Sequence, residues 1–129
     1  MDSDEHTVTA RSRGQAAEMA ALDYLNRRGL RLVSRNFCCR YGEIDLIMTQ
    51  GHTLVFIEVR YRKNNSHGSA AESVVKRKQR KLVITAQYYL QRYQSQPCCR
   101  FDVIAVCPAK NNSSLLHFDW IKNAFDLQC

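Results

Sequence analysis

No apolar run in this 129-residue chain approaches the ~20 residues of a membrane-spanning helix, so no membrane partner is expected. The opening MDSDEHTVTA is acidic and polar, whereas a secretory signal begins basic and continues apolar. An export leader is therefore not expected, and the cytoplasm is the expected compartment. Cysteine is present six times, but metal-knuckle spacing is missing. Cys38-Cys39 and Cys98-Cys99 are adjacent pairs, with Cys107 and Cys129 isolated. Neighbours in a strand point to opposite faces, and such pairs do not make C-x2-C knuckles. Without export, disulfides are also unexpected, and free thiols are the reading. His6, His52, His67 and His117 are scattered, and none is assigned to a metal. Internal repeats, low-complexity tracts and a second domain are all lacking.

What the chain has in excess is positive charge. Lys and Arg number 19 against 12 Asp and Glu, a formal charge of +7 and a pI near 9.3, which favours polyanions and above all nucleic acid as partner. The excess is uneven: Arg60, Arg62, Lys63, Lys76, Arg77, Lys78, Arg80 and Lys81 face a single Glu72 over the same stretch. The length fits one domain, burying roughly two-thirds of the surface exposed by the unfolded chain. We expect a disordered tail over 1–11 and a single domain over 12–129.

The Ala-rich stretch from Ser12 to Arg28 predicts a first helix, stopped at Gly29 by a left-handed residue. Ala21, Leu22 and Leu25 stand at i+3, i+4 and i+7 from Glu18, which puts a carboxylate on or beside the apolar stripe. Strands are expected over Leu30–Phe37, Glu43–Thr49 and Thr53–Tyr61, with Cys38 to Tyr41 as a polar connection. In the second, Glu43, Asp45 and Ile47 share one face and Ile44, Leu46 and Met48 the other. In the third, Leu54, Phe56, Glu58 and Arg60 lie opposite Val55, Ile57 and Val59.

Between those two strands, Gly51-His52 suits a two-residue type II′ turn. That register sets Asp45 across from Glu58, with β-carbons roughly 4.5–5.5 Å apart, and Glu43 across from Arg60. A three-residue loop would send Asp45 and Glu58 to opposite faces. Lys63–Ser69 reads as a polar loop, and Ser69-x-x-Glu72 as a capping box opening a second helix that reaches Tyr93. Lys76, Arg77, Lys78, Arg80 and Lys81 crowd its early turns, where they oppose the macrodipole, so helix stability does not explain them. A fourth strand is expected from Phe101 to Cys107, ended by Pro108, then a turn over Lys110–Ser114, a short strand over Leu115–Phe118 and a closing helical turn over Trp120–Phe125. The fold class is α/β: a mixed central sheet flanked by helices, in the order αβββαβ plus a short C-terminal strand. The long crossover makes parallel addition of the fourth strand the expectation.

Two carboxylates paired across a hairpin repel each other. A hard divalent cation gives them a reason, because magnesium is held by one or two carboxylates and several waters. Asp45 and Glu58 would be its ligands, joined by the Val59 backbone carbonyl. Arg60, ~7 Å further along the same face, would stabilise charge on a phosphodiester in its transition state. Glu18 would supply a third acid to hold water.

These residues carry a resemblance. Asp45, a twelve-residue gap, then Glu58-Val59-Arg60, with an acidic residue in the helix before and a basic helix after, resemble the PD-(D/E)xK nuclease superfamily, especially archaeal-type Holliday junction resolvases and restriction endonucleases. More narrowly, RGQAAEMAALDYL, YGEIDLIM, LVFIEVRYR, KRKQRKL and RFDVIAV look like the bacterial YraN family over Arg13 to Phe125. The resemblance implies a restriction-endonuclease-like fold, an acidic site of Glu18, Asp45 and Glu58, and Mg2+ or Mn2+ as cofactor. It also implies a homodimer, if the kinship with resolvases extends that far. Arg60 stands where the superfamily motif has lysine. Arginine stays protonated and cannot act as a base, though it can clamp phosphate. The site is then weakly active, silent, or served by another lysine such as Lys78.

Each feature has a plainer reading. A lone Glu-x-Arg is an edge-strand charge pair, but Asp45 opposite and Glu18 on the helix stripe turn Glu58 and Arg60 into a site. Glu43 has two readings, a salt bridge to Arg60 or a catalytic role. The Lys76–Lys81 run is either a solvated face or a DNA-backbone clamp, in which each phosphate neutralised steepens the salt dependence by ~0.9 in log-log slope. Arg60, Arg62, Lys78 and Lys81 are the nucleic-acid-binding candidates. Tyr88, Tyr89 and Tyr93 are read mainly as packing. The functional expectation is a metal-dependent endonuclease acting on DNA, with branched or repair-intermediate DNA implied by the kinship. The alternatives are a catalytically inactive nucleic-acid-binding module of the same fold and a domain that binds acidic proteins.

Overall fold

A strand apolar on both faces is buried only if each face meets another layer, and β3 shows how this chain arranges it. The structure, a computed structural model, describes residues 10–62, 76–109 and 112–125. Its elements are α1 (Ala10–Arg27), β1 (Arg31–Cys39), β2 (Gly42–Gln50), β3 (Thr53–Tyr61), α2 (Lys76–Leu90), β4 (Cys99–Ala109) and β5 (Asn112–Phe125). The strands form one mixed sheet in the order β1-β2-β3-β4-β5, antiparallel except where β4 adds parallel to β3. On β3, Leu54 and Phe56 pack with Leu82, Ala86 and Tyr89 of α2. Val55 and Ile57 pack with Ala17, Ala21 and Leu25 of α1. The result is a single α/β domain with a helix on each side of the sheet. No helix among the described residues is long and apolar enough to cross a membrane.

Local chemistry sets the boundaries. Helix α1 ends in a Schellman motif: Gly29 sits at φ 95, Leu30 donates its N–H to the Leu25 carbonyl at 3.1 Å, and Gly29 donates to Asn26 at 3.1 Å. At the β2–β3 turn Gly51 has φ 61 while His52 keeps a negative φ, as type II′ requires. The closing pair is Gln50 with Thr53, so the two-residue loop is the one adopted.

Several expectations need correction. Strand β1 runs on through Cys38 and Cys39. Helix α1 starts at Ala10, two residues inside the expected tail, and the rest of that tail lies outside the described residues. So do the loop from Lys63 and the Ser69–Glu72 capping box. Helix α2 closes at Leu90, short of Tyr93.

Pro108 does not end β4. The pairing with β3 stops at Tyr61↔Val106, so an N–H missing at Pro108 costs no hydrogen bond on that side, and Pro108 still pairs with Leu116 of β5.

The closing helical turn is absent, because Trp120 to Phe125 belong to β5, a strand of 14 residues. A buried central strand needs partners on both edges, and β5 is the second partner of β4. The irregularity between Phe101 and Val103 is held by Asp102, which is fully buried. Its carboxylate accepts bonds from Arg100 Nε at 2.9 Å, Trp120 Nε1 at 2.9 Å and the Asn123 backbone N–H at 2.9 Å. Asn123 itself adopts φ 54.

Candidate functional site

The site forms where two paired strands part. The β2–β3 ladder runs from Gln50↔Thr53 to Leu46↔Ile57, and the next position places Asp45 beside Glu58. There the Asp45 side chain replaces the backbone ladder: its Oδ2 accepts the Val59 backbone N–H at 2.8 Å. β2 also rotates at this point. Leu46 and Met48 pack on the α1 side, whereas Ile44 packs with the α2 cluster, although alternate residues of a regular strand share a face. The expected common face for Ile44, Leu46 and Met48 is thus broken by the twist about Asp45.

Both helices reach this opening. Glu58, 5% exposed, is met by Lys78 Nζ of α2 at 2.6 Å and by Arg60 Nη1 at 3.6 Å. Arg60 therefore serves Glu58 rather than Glu43. Helix α1 contributes Glu18, one residue beside the buried Ala17. Its Oε1 is buried and has no hydrogen-bond partner among the described residues. Glu43 borders two hollows: one of about 170 Å3 with Asp45, Glu58, Lys78 and Lys81, and one of about 460 Å3 with Glu18 and Asn36.

The electrostatics follow from this crowding. Burial pushes Asp45 up to about 8, and the charges of Glu58 and Glu18 add to the rise. The Val59 N–H and Lys78 oppose it without cancelling it. Glu18 is also raised, first by burial and then by Glu43, against the pull of Asn36, Arg35 and a hydrogen bond with Asp45. Among the described residues no three His, Cys, Asp or Glu side chains gather tightly enough to hold a metal by themselves. The donors on offer for a cation are two carboxylates, Asp45 and Glu58, with backbone and water to complete the set.

The structure thus brings Glu18, Asp45, Glu58, Arg60, Lys78 and Lys81 to one end of the sheet. Val59 meets Asp45 through its backbone N–H. Arg62 stands just past β3, with its backbone N–H bonded to Val106.

Sequence reasoning missed two contributors. Asn36 takes φ 53 within β1 and faces Glu18. Gly42 lies so close to α2 that a β-carbon there would meet Thr85 Oγ1 at 3.1 Å. Asn and Gly at strand positions were the available signals.

Comparison with known proteins shows the family. Residues 17–106 match the family described as Uncharacterised protein family UPF0102. The UPF0102 protein of Psychromonas ingrahamii is 50% identical over 114 residues, 88% of this chain and 89% of that one. Its counterpart from Pseudomonas syringae pv. syringae is 49% identical over 121 residues, covering 92% and 96%. A third, from Nitrosococcus oceani, is 46% identical over 124 residues, covering 94% and 97%. With the matched segment spanning α1 to β4 and the site residues inside it, the chain belongs to the UPF0102 family, the YraN-like group its motifs resemble.

Proposed function

We propose that this chain is a divalent-metal-dependent nuclease of restriction-endonuclease-like fold that hydrolyses DNA phosphodiesters in the cytoplasm. The observation that carries the reading is the convergence of Asp45 and Glu58 at the mouth of a parting hairpin, with Asp45 pushed up to about 8 by burial and by its acidic neighbours. Uncompensated carboxylates in one partly dry site are costly. The donor chemistry fits magnesium or manganese, which take few carboxylates and keep water. Asp45 and Glu58 would hold the ion, which would supply Lewis-acid polarisation of the phosphate and a more acidic water. Glu18, with an oxygen still open for a bond, orients water. Lys78 and Arg60 carry the positive charge that stabilises a phosphorane-like transition state. Lys78, whose ammonium already meets Glu58, is the lysine this reading recruits for the part that arginine at position 60 cannot play. Lys81 and Arg62 extend the basic surface for the DNA backbone. Branched or repair-intermediate DNA, and a homodimer cutting strands related by a two-fold axis, follow if the kinship with resolvases holds.

One contact favours a second reading. Lys78 Nζ lies 2.6 Å from Glu58, so an internal ammonium already neutralises one of the two ligands, as suits a silent nucleic-acid-binding module. Incubating the protein with branched, single-stranded and duplex DNA, with Mg2+ or Mn2+ and then with EDTA, decides between them. Cleavage that stops with EDTA and in Asp45→Ala and Glu58→Ala supports the nuclease. Salt-sensitive binding without cleavage supports the module.

A further inference from the structure

Beside the carboxylate hollow stands a pair of aromatic rings that the phosphodiester chemistry does not use. Tyr41, in the turn between β1 and β2, is 38% exposed, and Tyr88 on α2 is 43% exposed. Their ring centroids are 5.7 Å apart at an interplanar angle of 59°. Tyr88 rests on Phe37 at 6.4 Å, and Phe37 in turn meets the buried ring of Tyr89 edge-on at 5.1 Å. The exposed pair is thus backed by core rather than free to collapse. Arg40 lies over the Tyr41 ring at 4.9 Å and donates to its hydroxyl at 2.8 Å.

The position of the pair is set by the site. Tyr41 precedes Gly42, and Tyr88 is three residues, about 4.5 Å of helix axis, beyond Thr85. Gly42 and Thr85 both border the hollow that contains Asp45 and Glu58. Along β2, Tyr41 is four residues from Asp45, roughly 13 Å, the rise of about four stacked nucleotides.

Exposed rings scattered singly need no explanation. Two in contact, tilted so that they do not cover one another, backed by core and flanked by a guanidinium, form a surface for a flat, electron-rich partner beside a phosphate-binding charge. We propose that Tyr41 and Tyr88 form a stacking platform for unpaired nucleotide bases, so that the strand presented to Asp45 and Glu58 is single-stranded or frayed. This rests on reading the carboxylate hollow as a phosphodiester site. Bases in a duplex already have both faces covered by their neighbours, whereas an unstacked base finds its partner on an aromatic ring. Arg40 then meets the phosphate that follows the stacked base.

The test is binding in EDTA, where no hydrolysis intervenes. Fluorescein-labelled oligothymidylate and a blunt duplex of equal length are titrated with wild type, Tyr88→Ala, Tyr88→Leu, Tyr88→Phe and Tyr41→Ala. Stacking predicts that Tyr88→Ala and Tyr41→Ala each weaken oligothymidylate binding about tenfold. Tyr88→Leu, which keeps apolar packing on Phe37 without an aromatic face, follows Tyr88→Ala, while Tyr88→Phe stays within about twofold of wild type. Duplex affinity stays within about twofold throughout and serves as the folding control. Equal losses for both DNAs, or no loss in Tyr88→Ala, overturn the platform while leaving the nuclease reading intact. The predicted pattern in a protein that cleaves nothing with Mn2+ supports the platform and removes the nuclease. Absence of binding to either DNA by the wild type overturns both.

Discussion

Asp45 accepts the backbone N–H of Val59 through its side chain at 2.8 Å, where a regular ladder would have used main-chain carbonyls. That one substitution of side chain for backbone opens the hairpin. β2 turns about Asp45 and leaves β3, and the gap admits Glu18 from one helix and Lys78 from the other. The bond also fixes which Asp45 oxygen is committed to the backbone, Oδ2.

The raised Asp45 makes stability pH-dependent in a definite direction. Its ordinary value is 3.8 and its folded value about 8, so between those limits the folded chain holds a proton that the unfolded chain has released. Stability without metal is therefore fullest below about pH 4 for this group and falls as pH rises toward 8. Asp45→Asn keeps an oxygen for the Val59 N–H and cannot ionise. At pH 8 and without metal it should raise stability by about 2 kcal/mol, a Tm gain of ~5–10 °C, with no gain near pH 4. Thermal melts at the two pH values with EDTA check this. A pH-independent difference would mean that Asp45 is ionised in the fold at ordinary pH.

Lys78 and Glu58 form an unequal pair, the carboxylate nearly buried and the ammonium 43% exposed. Among the described residues, Lys78→Ala leaves Glu58 with only the longer ion pair to Arg60. With the exposed partner screened by solvent, the expected loss is about 1–2 kcal/mol in urea unfolding. Cleavage should fall by at least about a hundredfold if Lys78 handles the proton or the transition-state charge. Adding saturating Mn2+ should restore part of the lost stability, because the ion substitutes for the ammonium beside Glu58. Loss of stability that Mn2+ leaves untouched would argue that no cation enters there.

How much of this was legible in the sequence depended on distance along the chain. The Asp45–Glu58 juxtaposition was readable because a two-residue turn fixes register locally, and Gly51 announces that turn. Glu18 beside the apolar stripe was readable from helical period alone. The rotation of β2 was not, since it arises where a ladder stops, and period-two alternation assumes the ladder continues. Trp120 to Phe125 were misread because their apolar spacing also suits a helical turn, and what makes them a strand is Asp102, eighteen residues before Trp120. Arg60 bonding Glu58 rather than Glu43 likewise follows from the parting of the strands. The pairing of Lys78 with Glu58 needs the crossover to bring α2 over the sheet, which no local spacing encodes.

Asp102 offers a control that separates fold from site. It is buried, holds Arg100, Trp120 and Asn123 together, and Arg100 in turn reaches Gln50 Oε1 at 2.8 Å. Asp102→Ala strands a guanidinium that is 19% exposed and an indole N–H. A loss of about 3–5 kcal/mol is expected, measured by urea unfolding and by red-shifted fluorescence of Trp120, the single tryptophan. At temperatures where the variant remains folded, DNA binding should match wild type. A mild loss would show that β5 is held by its ladder alone.

Arg60 presents the sharpest question about chemistry, because guanidinium and ammonium do different things at 3.6 Å from Glu58. If Arg60 clamps phosphate while Lys78 handles the proton, Arg60→Lys loses a bidentate contact and cleavage drops by about tenfold, chiefly through weaker substrate binding. If instead Arg60 occupies the position of a missing catalytic lysine, Arg60→Lys raises the rate and gives it a pH dependence that wild type lacks. Steady-state kinetics of both proteins in Mn2+, followed from pH 6 to 9, separate the two through kcat and KM. The contact of Lys78 with Glu58 favours the first outcome, since a lysine is already placed at the carboxylate and a second would add only repulsion.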